Sequence, residues 1–159
     1  MSDLVLDFLI RAKQHTYAAQ GDEASVSPLL SGSRQLEYQE DSFFYRDIYF
    51  GVNYFVGQEA VYIEEQPHWA MSYAGGVSAS MTQQEDVRKI YAFLRSALRR
   101  VSRKWIIRGP NEFADGTYRY ENHQDGDFTI FHGTEIIREN DQIVYTLRYS
   151  GGVLRLTGN

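Results

Sequence analysis

Residues 72–77 read SYAGGV, and residues 148–153 read RYSGGV. A chain of 159 residues that writes nearly the same phrase twice invites a search for a longer repeat. Residues 51–77 align on 127–153 without a gap. Eight positions are identical: Phe55/Phe131, Gly57/Gly133, Glu59/Glu135, Gln66/Gln142, Tyr73/Tyr149, Gly75/Gly151, Gly76/Gly152 and Val77/Val153. The alternating positions before each Gly-Gly also match, Trp69, Met71 and Tyr73 against Tyr145, Leu147 and Tyr149, so both runs read as strands with one apolar face. Each block follows a helical pattern and a linker. The expectation is an α+β fold: a twisted antiparallel sheet covered by two helices, built from a tandem duplicated helix-plus-strands unit with pseudo-two-fold symmetry. The chain then reads as a single domain over 1–159, with repeat units of approximately 2–77 and 82–153.

The elements follow from periodicity. Leu4, Val5, Phe8, Leu9 and Ala12 lie at helical spacing, which predicts a helix over 3–17 with Ser2 as its cap. Residues 19–34 are small, polar and rich in Gly and Ser, and read as a long loop. LEY at 36–38 and FFYRDIYF at 43–50 read as strands, and EAVYIEE and HWAMSYAGGV as a hairpin turning around Gln66 and Pro67. A second helix is predicted over 83–102. Its buried stripe would be Val87, Ile90, Tyr91, Leu94, Leu98 and Val101, behind a capping box of Thr82 and Glu85. TYRYENH, DFTIFHG, EIIREN and QIVYTLRYSGGVLRL complete the strands.

Composition narrows the function classes. The chain is 43% hydrophobic and 23% charged, which is globular, and it has no Cys, so disulfide and thiolate chemistry are excluded and a reducing cytoplasm is the expected location. The N-terminal stretch carries no basic leader, and no apolar run nears the ~18 residues of a membrane span. A formal net charge of −5 argues against a broad nucleic-acid surface.

Three constellations could carry chemistry. The first is G-x-E, at Gly57–Glu59 and Gly133–Glu135, whose carboxylates would meet if the halves face each other. They serve equally well as strand-end charges. The second is an aromatic set around Tyr45, Tyr49, Trp69 and Tyr73, with Asp47 between two of the tyrosines on one strand face. Apolar walls with a few fixed polar groups suit a small aromatic or cationic ligand, and also ordinary sheet packing. The third is a run of cations, Arg95, Arg99, Arg100, Arg103, Lys104 and Arg108, which suits a phosphate or protein partner as well as a solvated helix end. His15, His68, His123 and His132 lack metal-site spacing, and there is no phosphate-binding or dinucleotide motif, so no metal or cofactor is expected.

The pattern LEY, Y-x-D-x-Y-F-G, F-x-G-x-E-x-V-Y, P-x-W-x-M-x-Y occurs here as Leu36–Tyr38, Tyr45 to Gly51, Phe55 to Tyr62 and Pro67 to Tyr73. It resembles an uncharacterised bacterial family of domains of unknown function, found alone or fused to helix-turn-helix transcriptional regulators. The resemblance implies an effector-sensing context and supplies no activity. The reading is a small-molecule binding module using Tyr45, Asp47, Tyr49, Glu59, Trp69, Tyr73 and Glu135. The alternatives are a hydrolase or isomerase with Glu59 and Glu135 as acid/base pair, or a nucleic-acid or protein partner surface on the second helix. Whether the chain is an enzyme, and in what oligomeric state, stays open.

Overall fold

The computed structural model describes residues 3–16 and 24–155. Helix α1 (Asp3–His15) leads into strands β1 (Ser25–Val26), β2 (Arg34–Glu40), β3 (Phe43–Gly51), β4 (Tyr54–Ile63) and β5 (Gln66–Val77). Helix α2 (Gln84–Leu98) follows, then β6 (Glu112–Asp115), β7 (Tyr118–Gly126), β8 (Ile130–Glu139) and β9 (Gln142–Val153). All strands join one antiparallel sheet in the order β1-β2-β3-β4-β5-β9-β8-β7-β6.

This corrects the expected fold class. The molecule is mostly sheet, and its two short helices do not cover that sheet as parts of a duplicated helix-plus-strands unit. The reason is geometric. Nine strands spaced ~4.8 Å apart make a sheet about 38 Å wide. Helices of 13 and 15 residues are only about 20 Å long and 10 Å across. They leave part of the inner face to other cover, which Ile106 and Ile107 in the segment after α2 help to supply.

What does repeat lies in the strands. β4 and β5 recur as β8 and β9 at the same offset, including a bulge at Val61/Tyr62 and another at Ile137/Arg138. The phrases that end β5 and β9 lie side by side at the centre of the sheet, antiparallel, with Tyr73 directly opposite Tyr149. Gly75 faces Leu147 there and Gly151 faces Met71. A Cβ at Gly75 would fall 2.4 Å from the Leu147 Cα and one at Gly151 2.7 Å from the Met71 Cα, so each glycine admits the close approach of the other strand.

Local boundaries also shift. The α1 stripe is Val5, Phe8, Leu9, Ala12 and Lys13, while Leu4 is exposed. Ser2 lies outside the described residues, as do residue 17 of the expected helix and 19–23 of the expected loop. The N-cap of α2 is Gln83, with no side-chain cap, so the Thr82–Glu85 capping box does not form. The β4–β5 turn falls at Glu64 and Glu65, both at positive φ (48° and 66°), and Gln66 and Pro67 belong to β5. Its counterpart between β8 and β9 uses Asn140 and Asp141. Two consecutive left-handed residues make the hairpin turn whose twist matches that of the strands.

Candidate functional site

Directly opposed residues on neighbouring strands share a face, so the register reads as rows across the inner face. One row is Arg34, Tyr49, Gly57, Tyr73 and Tyr149. The next is Leu36, Asp47, Glu59 and Met71. In the first row the glycine exists because Tyr73 lies across it: a Cβ at Gly57 would sit 2.4 Å from the Tyr73 hydroxyl. Gly133 stands in the same relation to Tyr149, at 2.3 Å. The Gly of each G-x-E thus makes room for a tyrosine, and the Glu two residues on shares its face.

Both glutamates are fully buried, Glu59 and Glu135 at 0% exposure. They are brought into one ion network, with Arg108 between them. Arg108 Nη2 donates to Glu135 Oε2 at 2.8 Å, and its Nη1 lies 3.7 Å from Glu59 Oε1. Lys13 Nζ donates to Glu59 Oε2 at 2.6 Å and to the Ile107 carbonyl at 2.9 Å. Tyr120 donates to Glu135 Oε1. Burial pushes the Lys13 ammonium down despite the opposing pull of Glu59, and pushes the Tyr120 phenol well up, with Glu135 adding to the effect. Drying these charges is expensive, and the network offsets that cost only while every member is in place. The arrangement holds the carboxylates as acceptors for internal cations, away from any opening.

Asp47 is different. It is 3% exposed and accepts from the Tyr73 hydroxyl at 2.6 Å. Burial is the main cause that lifts its carboxyl to about 7, the Glu59 charge adds to it, and Tyr73, Lys13 and Arg108 pull the other way. The equivalent place on β7 holds Asn122, whose Oδ1 accepts from Tyr149 at 2.7 Å and whose Nδ2 donates to the Gly109 carbonyl at 3.1 Å. The two half-sheets therefore build the same hydrogen bond around an acid in one case and an amide in the other.

Asp47, Tyr49 and Tyr73 line a cavity of about 490 Å³ between the β2–β5 face and α2. Phe55, Tyr91 and Leu94 add apolar walls, and Arg34, Arg95 and Arg108 add guanidinium groups. Tyr91 donates to the Val52 carbonyl at 2.8 Å, and burial raises its phenol to about 12. Of the residues singled out from sequence, Tyr45, Glu59, Trp69 and Glu135 lie outside this lining. Tyr45 is core, and Trp69 is fully buried, stacked on Phe128 and Phe131. The run of cations is dispersed. Arg103 pairs with Asp7 at 2.7 Å, Arg100 lies over the Phe113 ring, Arg108 is in the network and Arg95 is in the cavity.

Sequence reasoning missed Lys13, Arg34 and the role of Arg108. Lys13 carried a signal, since it falls on the α1 stripe one turn after Leu9. The Asp47/Asn122 equivalence was hidden by a one-residue difference between the β3–β4 and β7–β8 turns, which a gap-free alignment cannot cross.

Among the described residues no cluster of His, Cys, Asp or Glu could hold a metal ion, and no helix is long and apolar enough to cross a membrane. No curated protein and no solved structure is detectably similar to the chain. A family model described as "Domain of unknown function (DUF5680)" matches residues 47–154, from Asp47 at the cavity through the end of β9, and the chain belongs to that family.

Proposed function

We propose that this domain is a small-molecule binding module whose ligand occupies the cavity between α2 and the β2–β5 face. The carrying observation is that cavity: about 490 Å³, walled by Tyr49, Phe55 and Tyr91, with a buried carboxyl, Asp47, among its lining groups. That volume lies within the range of roughly 300–1,000 Å³ usual for ligand sites, and apolar walls with a few fixed polar groups are their usual composition. A cytoplasmic effector-binding role alongside bacterial helix-turn-helix regulators accords with the resemblance noted in the sequence.

The test is a thermal-shift screen of small aromatic metabolites, since a ligand of the native state raises Tm. Hits should lose their shift in Tyr49→Ala and Phe55→Ala. Hits that bind both variants as they bind the wild type would place the site elsewhere. The acid/base alternative finds less support, because Glu59 and Glu135 are sealed and Arg108 stands between them.

A further inference from the structure

The balance of charge around the cavity identifies the class of ligand. Four guanidinium groups line it, those of Arg34, Arg88, Arg95 and Arg108, against a single carboxyl, Asp47. Arg108 is committed to Glu135, and Arg88 lies 3.9 Å from Glu85 on the α2 surface. Arg34 and Arg95 form no ion pair with any described residue, one projecting from the sheet wall and the other from the helix wall. Guanidinium groups that face a shared space and are held in no ion pair suit a planar anion, which they bind through paired N–H donors. They do not suit the cationic ligand that an acid among aromatic rings first suggests.

We infer that the cavity binds a small organic anion, a carboxylate on an aromatic body. This rests on the cavity being a ligand site. A charged Asp47 would oppose the ligand's own carboxylate within the shared cavity. A neutral one removes that repulsion and leaves the arginines unopposed. The groups that set the Asp47 charge come from several sides: Glu59 on β4, Tyr73 on β5, Lys13 on α1 and Arg108 after α2. With its carboxyl lifted to about 7, Asp47 holds its proton at pH 6 and has given up most of it by pH 8. If only the protonated form binds, about one-tenth of the protein is competent at pH 8, and affinity falls about tenfold between the two pH values.

The experiment uses matched probes: a panel of bicyclic aromatic propanoates, their primary amides and the corresponding amines, titrated into the full chain by calorimetry at pH 6 and pH 8. The acids should bind best, at least tenfold tighter than their amides at pH 6, and should weaken about tenfold at pH 8. Asp47→Asn should abolish that pH dependence and keep the tighter affinity. Arg34→Gln with Arg95→Gln should bring the acids down to the level of the amides while leaving the amides unchanged. Amides or amines that bind as well as the acids would overturn the anion assignment and leave the cavity reading standing. Acids whose affinity ignores the arginine substitutions would overturn it too. If no probe of any charge binds and the wider screen is also silent, both readings fall.

Discussion

Asp47→Asn tests the electrostatics of the inner face without any ligand. Folding carries this carboxyl from an ordinary 3.8 to about 7, so the folded protein holds a proton that the unfolded chain releases. The Asp47 contribution to stability therefore falls as pH rises from about 3.8 to about 7 and is level on either side. Three units at 1.36 kcal/mol each put the full penalty at about 4 kcal/mol. An asparagine never pays it, and Asn122 already makes the same Tyr hydrogen bond at the equivalent place on β7. The variant should be more stable than the wild type, with the gap widening by roughly 2–3 kcal/mol between pH 5 and pH 8. Urea unfolding across that range, compared at constant m, reads it directly. A gap that stays constant with pH would mean that Asp47 titrates normally, and the proton-linked part of the ligand inference would go with it.

Other substitutions probe other parts. Arg108→Met strands Glu135 and exposes Glu59 to one fewer cation, which should cost about 3–5 kcal/mol. Adding Glu135→Gln should restore part of the loss in urea unfolding, because the amide still accepts from Tyr120 and carries no charge. Glu64→Asn with Glu65→Gly gives the β4–β5 turn residues that tolerate positive φ, and should raise stability by about 1 kcal/mol, read as a Tm increase of roughly 2–4 °C. Gly133→Ala places a methyl 2.3 Å from the Tyr149 hydroxyl and 2.6 Å from the His123 carbonyl. It should lower stability by about 1–3 kcal/mol. An unchanged Tm would show that Tyr149 does not need that glycine.

The strands were legible because their inner face is written in large apolar residues at period two, and because SYAGGV and RYSGGV share a register. Trp69, Met71 and Tyr73 are buried as the alternation demands. Helical cover was not legible: periodicity finds two amphipathic helices but does not say how much sheet they must cover. Of the site, Asp47, Tyr49 and Tyr73 could be found from one strand face and a facing tyrosine. Glu59 and Glu135 could be found only as a pair, because their partner Arg108 sits in irregular chain amid five other cations. Its burial depends on contacts 27 and 49 residues away, which no local pattern encodes.

The ion network also joins pieces of chain that are far apart in sequence: Lys13 near the start, Glu59 in β4, Arg108 after α2 and Glu135 in β8. If α1 alone peeled away, Lys13 would leave Glu59 in a dry interior with only a distant guanidinium for company. Such a partly opened species is penalised far beyond the apolar contacts it loses. The amides of α1, which in most domains would exchange by fraying of a terminal helix, should instead exchange with those of β4 and β8, in one concerted opening. Native-state hydrogen exchange would then show one free energy for the first helix and the central sheet, and Lys13→Met with Glu59→Gln should split that single value in two.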